Sequence, residues 1–407
     1  MFTTSRYLML LGSFGKYMHG PALGELKGSL EKIHGGDSEV PCEVFLYENG
    51  RTAEYEFLKA VNIPKGSNVV VLGYTCNAVI NPILWLDLEP RYIDIDEKTF
   101  SFDMTDLNRK IDSDTRVIIL QHTYGIPGPI DEVMKIAGSR NILVLEDCAH
   151  ALGGTYGGST SRQDIIGTKG DAAIISFGIE KILGSRVGGA LIVNNRAVLP
   201  RVSEEYSRIR TVSIKDTFLW LINPVIWRML RVFPLPDKIA KVLNSVRLLN
   251  LGMYPSERVG VKPRRYPRRL SNALAEVALE EMSDIEDNLS HRRRISQVYE
   301  IGLSKVSGIK VPSAHRNVAY VRFPIICESS VMRKRLSTAL REKGHVAGNW
   351  YNPVVYPGSV NLVAMKYKQG ECPNSEMIAQ KILNLPTGKN ISESSAKDIV
   401  NIITSNL

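Results

Sequence analysis

Short apolar runs recur through the first half of the chain, spaced to leave room for a helix between neighbours. Stretches 69–72, 91–96, 117–120, 142–145, 172–175 and 190–193 each read as a strand. Residues 51–61, opening after Asn49-Gly50, read as a helix, as do 77–86 and 130–137. Most of the strands are unbroken runs of Val, Ile, Leu and Ala rather than alternating apolar and polar positions. Such runs suit strands buried on both faces. With helices between them, they predict an α/β fold with a mostly parallel sheet.

The rhythm breaks near residue 200. Residues 200–262 hold two apolar clusters, Phe218–Ile222 and Val225–Trp227, around Pro224, and read as a helical insert. From Ser271 to about Leu303, apolar residues at Leu274, Val277, Ala278, Met282 and Ile285 keep helical spacing, which predicts one long helix. A strand at 320–326, a helix at 331–343 and a final helix from about Ser392 follow. Three parts are expected. An N-terminal segment with glycine breaks spans 1–40. A large unit at 41–265 includes the insert. Residues 266–407 hold the long helix and a small α+β domain.

Composition narrows the class. The chain has 407 residues, 44% hydrophobic and 23% charged, which is the balance of a folded protein with a large core and room for two or three domains. Its five cysteines are scattered without a CxxC pair, so neither a disulfide framework nor a structural zinc site is expected, and the usage suits a reducing cytoplasm. The apolar stretch 217–236 is broken by Pro224, Arg228 and Arg231 and falls short of the roughly 20 apolar residues that span a bilayer. It is expected either to make peripheral membrane contact or to pack as a helical hairpin on the protein itself. The net charge of +9 is partly local: six basic and no acidic residues lie between Arg258 and Arg269. That stretch would suit a phosphate or diphosphate. No aromatic-rich module accompanies it, so nucleic acid is not an expected partner.

In parallel sheets ligands sit beyond the carboxyl ends of the strands, so the residues just after each strand are where chemistry is sought. One strand runs into Glu146-Asp147-Cys148-Ala149-His150, and the next into Ser176-Phe177-Gly178-Ile179-Glu180-Lys181. Taken singly, such an Asp is usually a loop cap and such a Lys a solvated surface group. The helix that opens at Gly50-Arg51-Thr52 adds free backbone N–H groups suited to a phosphate. Together these parts make an anion cradle, a carboxylate, an imidazole and an amine. Pyridoxal phosphate needs that set: an amine for the Schiff base, a carboxylate for the pyridinium nitrogen, and a helix terminus with a hydroxyl for the phosphate.

In order and spacing, Asp94-Ile95-Asp96, His122–Gly125, Glu146–His150, Gly170-Asp171, Ser176-Phe177 with Lys181, and Gly188-Gly189 resemble the DegT/DnrJ/EryC1/StrS group of pyridoxal-phosphate-dependent sugar aminotransferases. The resemblance covers roughly residues 40–200 and 262–400. It implies an aspartate-aminotransferase-like fold of type I. It also implies that Lys181 binds the cofactor and moves the proton between substrate carbon and cofactor. Asp147 would pair with the ring nitrogen and His150 would touch the ring's 3-oxygen. Ser176, with Gly50, Arg51 and Thr52 at the helix start, would hold the phosphate. Cys76 falls where the family places an aromatic residue against the ring, with Tyr74 as the other residue in reach. The implied assembly is a homodimer with shared sites, in which Arg269 or Arg268 serves the neighbour's phosphate; Pro267 stands where the family has Asn. The implied substrates are an amino-acid donor, glutamate by analogy, and a keto-sugar, with a nucleotide-linked one expected. Lys181 in place of the histidine of the dehydratase branch favours transamination. Trp350-Tyr351-Asn352-Pro353 resembles the family's substrate-side loop without its usual His. Two other readings stay open: a lipid-linked or cyclitol ketone as acceptor, and a catalytically silent cofactor-binding regulatory protein. The joint presence of Asp147, Ser176 and Lys181 argues against the last.

Overall fold

The computed structural model describes residues 11, 14–35, 42–158, 164–230, 252–312 and 318–407. A seven-stranded sheet forms its centre. The strands are β1 (Glu43–Tyr47), β2 (Asn68–Leu72), β4 (Glu89–Ile93), β5 (Thr115–Gln121), β6 (Leu143–Asp147), β7 (Ala172–Ser176) and β8 (Gly189–Val193), in the order β1-β8-β7-β6-β5-β2-β4. Strands β7, β6, β5, β2 and β4 pair in parallel, and β8 pairs antiparallel with both β1 and β7, so β8 alone runs against the rest. Every residue of β2 and β8 is buried, as continuous apolar strands require. The register sets Gln121 of β5 beside Asp147 at the end of β6.

The helix Gly50–Ala60 packs on β1, β7 and β8 and on the helix Asn77–Trp85. Its start is capped by Asn49, whose Oδ1 accepts from the Thr52 N–H at 3.0 Å and the Thr52 hydroxyl at 3.1 Å. The approach of β8 to this helix start is close. A Cβ on Gly189 would lie 2.4 Å from the Gly50 nitrogen, so only glycine fits there.

A second sheet of three antiparallel strands, β9 (Ile309–Lys310), β10 (Arg322–Cys327) and β12 (Ile382–Pro386), carries the C-terminal helices Ser330–Glu342 and Pro373–Lys381. Two residues, β11 (Val355–Tyr356), pair in parallel with β3 (Thr75–Cys76) and join this region to the large sheet next to Cys76.

Several elements differ from expectation. The helix expected over 271–303 is two helices, Asn272–Ser283 and Ile285–Leu303, because Asp284 leaves helical geometry at φ −101° and ψ 12°. The strand expected over 91–96 covers Glu89–Ile93 instead. Asp94 turns away to cap the helix Pro373–Lys381, accepting from the Asn374 and Ser375 N–H groups at 2.9 and 2.7 Å. In the N-terminal segment Gly15 does not break the chain but lies inside the helix Phe14–Met18, while between Gly20 and Gly35 the residues Ala22, Leu26, Leu30 and His34 bury one face of the helix Ala22–Gly35.

The insert contributes two helices, Leu199–Arg208 and Ile214–Leu230; residues 231–251, with the end of the 217–236 stretch, lie outside the described residues. The second helix packs on the protein's own body. Leu219, Leu221 and Leu230 are buried, the Phe218 ring meets Phe14 edge-on at 6.0 Å, and the Thr217 hydroxyl meets that of Ser271 at 2.9 Å. Among the described residues no helix is long and apolar enough to cross a membrane. Much of the basic stretch is also used internally. Arg265 and Arg268 both bind Asp216 of this helix, at 2.9 and 2.5 Å, and Lys262 binds the Tyr55 hydroxyl at 2.8 Å.

Candidate active site

A cavity of about 510 Å³ opens at the carboxyl ends of β5, β6 and β7. Of the residues expected there, Lys181, Asp147, His150, Ser176, Gly50, Arg51 and Cys76 line its wall. Thr52, Tyr74 and Arg269 do not. Thr52 is fully buried and spends both its N–H and its hydroxyl on Asn49, so it caps the helix rather than facing the cavity. Tyr74 is fully buried in the junction with the C-terminal region. Arg269 lies beside Tyr47 and Thr211, with its guanidinium 5.4 Å from the centre of the Tyr206 ring.

Ser176 ends β7, and a tight turn closed by the Lys181 N–H on the Gly178 carbonyl, at 3.0 Å, brings Lys181 back over the cavity. Burial holds the Lys181 amine below the usual lysine range, against the opposing pull of Cys76 and Asp147. Its Nζ lies 5.0 Å from the centre of the Trp350 ring. Burial pushes the Asp147 carboxyl above the usual range, opposed by the Ala149 N–H, which donates to Oδ1 at 3.0 Å, and by the Lys181 charge. His150 Nδ1 accepts from the Tyr124 N–H at 3.1 Å. The neutral ring therefore carries its proton on Nε2, and burial together with the Lys181 and Arg322 charges keeps it neutral. Cys76 Sγ accepts from the Ala78 N–H at 3.5 Å at the start of the next helix.

Arg51 is braced at the rim: its guanidinium pairs with the fully buried Glu257 and donates to the Gly252 carbonyl at 2.9 Å. A Cβ on Gly50 would come within 3.3 Å of the Ser176 Cβ, so the helix start packs closely on Ser176 and the two edge the cavity together as a cradle. Behind the cavity, His122, Glu146 and Cys148 form a buried group. Glu146 there accepts from His122 and from the Gly167, Lys169 and Gly170 N–H groups, which makes it an anchor for the loop that follows.

Residues beyond the expected cofactor set also line the cavity, among them Trp350 of the segment read as the substrate-side loop. Trp220 of the insert helix forms part of its wall. Trp350 enters from the C-terminal region, its ring stacked on His150 at 5.2 Å and 9°, and its carbonyl accepts from the Tyr74 hydroxyl at 2.7 Å and from that of Tyr124. Arg322 lies 5.1 Å from the centre of the same indole and pairs with Glu180 at 2.5 Å. Glu48 and Glu54 bring two further carboxyl groups to the wall. Of these two glutamates, Glu54 had a signal in the sequence. It falls one helical turn after Gly50 and so shares its face.

Residues 15–220 and 232–404 match the DegT/DnrJ/EryC1/StrS aminotransferase family. The chain is 24% identical to a GDP-perosamine synthase of Escherichia coli O157:H7 over 84% of its length and 80% of that protein's. It is likewise 24% identical to a UDP-N-acetyl-3-dehydro-alpha-D-glucosamine 3-aminotransferase of Acidithiobacillus ferrooxidans, over 85% of this chain and 79% of the relative. Among solved structures it is similar to NtdA of Bacillus subtilis with bound PMP, at a TM-score of 0.71 and 19% identity, covering 95% of this chain and 78% of that one. With a mostly parallel sheet, a lysine and an aspartate at its carboxyl edge and a family match along most of its length, the chain belongs to the DegT/DnrJ/EryC1/StrS aminotransferases of fold type I.

Proposed function

We propose that this aminotransferase moves an amino group from an amino acid, glutamate by family analogy, to the ketone carbon of a nucleotide-linked sugar, with pyridoxal 5′-phosphate held at Lys181. The observation that carries this reading is the meeting of Lys181, Asp147, Ser176 and the start of the helix Gly50–Ala60 in one cavity. The residues fit that cofactor. Gly50 packs closely on Ser176, so the helix N–H groups and the serine hydroxyl stand side by side at the cavity wall, which suits a phosphate. Asp147 stands across the cavity wall as a carboxylate for the ring nitrogen. The sugar acceptor is supported by the name of the Acidithiobacillus relative, a 3-aminotransferase of a 3-dehydro UDP-sugar.

Bound there, the cofactor supplies a carbonyl carbon that takes up the amino group and a ring that draws electrons from the reacting carbon. The protein's own groups do the rest. Burial favours the neutral amine of Lys181, the form able to attack a carbonyl and to take a proton from the substrate carbon. Asp147 keeps the ring nitrogen protonated. His150, with Nδ1 committed to Tyr124 and Nε2 3.4 Å from the Tyr351 hydroxyl, would turn its Nε2–H from that hydroxyl to the ring oxygen. Ser176 and the helix start hold the phosphate. Trp350 and Trp220 wall the acceptor side and exclude water. We read the working unit as a homodimer in which Arg269 serves the neighbouring site.

Borohydride reduction of the purified yellow protein tests the reading. It should fix one cofactor-mass adduct on Lys181. An adduct on another lysine, or none with cofactor in excess, overturns it. A panel of aminated nucleotide sugars then identifies the acceptor by the change in cofactor absorbance each one produces.

A further inference from the structure

Arg186 stands in the wall of the same cavity, on the loop between the Lys181 turn and β8. Its φ is +75°, in the left-handed region, where a residue with a Cβ is disfavoured and glycine is at ease. Of the non-glycine residues with positive φ among the described residues, Arg186 alone lines the cavity. The same loop has glycine at 184 and 188, yet this position keeps a long cationic side chain. Backbone strain of this kind is held by the surrounding structure and gathers at ligand sites. The charge of Arg186 is also uncommitted. The lysines and arginines of the wall are Arg51, Lys181 and Arg186. Arg51 pairs with Glu257 and donates to the Gly252 carbonyl, and Lys181 is the amine for the cofactor. Among the described residues the half-buried Arg186 makes no ion pair and no side-chain hydrogen bond. A guanidinium partly out of water, with all its donors free, suits an anion, and its planar fork matches two phosphate oxygens at once.

We propose that Arg186 binds the diphosphate of the acceptor and so selects a diphosphate-linked sugar over a free one. The proposal rests on the functional reading above and adds a specificity-determining residue to it. Three anions enter such a cavity: the cofactor's phosphate, the donor's carboxylates and the acceptor's diphosphate. The first already has Ser176 and the helix start at Gly50. The diphosphate carries the most charge of the three. It is the hardest to bring to a wall that also holds the carboxyl groups of Glu48, Glu54, Asp147 and Glu180. A free cation in that wall offsets the repulsion, and Arg186 is the one whose donors nothing described takes up.

Calorimetric titration with inorganic pyrophosphate tests this on borohydride-reduced protein, in which the cofactor fills the cradle and blocks Lys181. Wild type should bind one pyrophosphate per chain. Arg186→Gln should bind it about tenfold more weakly or worse, the worth of one charge-assisted pair. Arg186→Lys should fall between the two, since it keeps the charge and loses the fork. Arg186→Gly separates binding from folding. Glycine adopts the loop's angle freely, so this variant should bind as weakly as the Gln variant and unfold at no lower denaturant concentration than wild type. Wild type that leaves pyrophosphate unbound, a Gln variant that binds it as wild type does, or a Gly variant that is destabilised overturns the proposal. Two more probes separate the sources of the anion: glutarate for the donor's carboxylates, and pyridoxal 5′-phosphate, on unreduced protein, for the cofactor's phosphate. A Gln variant weakened toward either as much as toward pyrophosphate overturns the assignment to the acceptor. Wild type that forms no adduct on Lys181 counts against the functional reading instead. Cofactor-free protein then decides the role of Arg186: pyrophosphate should occupy both the cradle and Arg186, and Arg186→Gln should lose one of these two sites. A variant that keeps both overturns the proposal.

Discussion

Asp147 is the residue on which the chemistry can be separated from the fold. Its side chain's one described hydrogen bond, from the Ala149 N–H, needs only an acceptor oxygen, and an amide supplies that as well as a carboxylate. Asp147→Asn should therefore melt as wild type does. It should lose about 3 kcal/mol of barrier lowering, roughly a hundredfold in single-turnover rate, because a neutral amide cannot hold the ring nitrogen's proton. A variant with near-normal rates contradicts the assignment. Asp147, Ser176 and Lys181 were legible because parallel strands deliver the residues after them to one edge, a rule that needs no tertiary detail. Trp220 was not legible as a wall residue, since it arrives from the insert, and Trp350 was legible only through the likeness of its segment to the family's substrate-side loop. Thr52 was misjudged for a local reason: nothing in its own neighbours says whether its hydroxyl faces outward or back to Asn49.

At the level of the single element, the helix Gly50–Ala60 carries the cradle at one end and three buried or rim glutamates nearby. Removing its cap in Asn49→Ala leaves the Thr52 N–H and hydroxyl without an acceptor. It should cost about 1 kcal/mol in denaturant unfolding. It should also weaken cofactor binding, since the same turn edges the phosphate cradle. Glu56 gives a pH signature. It is 1% exposed, and burial raises its carboxyl to about 7. Between its ordinary value and 7 the unfolded chain ionises there and the folded chain does not. Its contribution to stability is thus whole at low pH and is lost as pH rises toward 7. Stability of Glu56→Gln relative to wild type should improve by about 2 to 3 kcal/mol from pH 5 to pH 8. A difference that stays flat across that window refutes the buried-acid account. Element types were read well wherever apolar periodicity was long. The ends were set by contacts that periodicity does not encode: Asp94 leaves its strand to cap a helix some 280 positions away, and Asp284 divides what spacing alone makes one helix.

Across the whole molecule, six strands of the large sheet were foreseeable, but its edge strand β1 and the attachments to the sheet were not. The β11–β3 pairing, the Tyr74 and Tyr124 hold on Trp350, and the grip of two arginines on Asp216 each join segments far apart in sequence. The Asp216 grip is a strong point. Its carboxylate is 5% exposed, so Asp216→Ala leaves Arg265 and Arg268 facing each other without the acid they share. That should cost about 3 kcal/mol in denaturant unfolding and free the basic stretch to bind polyanions. The proposed dimer has its own test. A mixture of Lys181→Ala and Arg269→Ala chains, after verified subunit exchange, should regain part of the activity that each lacks. No recovery removes Arg269 from the partner's site.

Of the four tryptophans, Trp220 and Trp350 stand in the wall of one cavity. Trp350 also has the Lys181 and Arg322 cations over its ring and an imidazole stacked against it. An indole so placed emits according to what fills the space beside it. Any molecule that enters must displace solvent from it, shift its charged neighbours or lie within energy-transfer range. The protein thus carries an unlabelled optical gauge of occupancy. Replacing Trp85 and Trp227 with phenylalanine would leave emission from the cavity pair alone, and would turn acceptor screening into a fluorescence titration that needs no coupled assay.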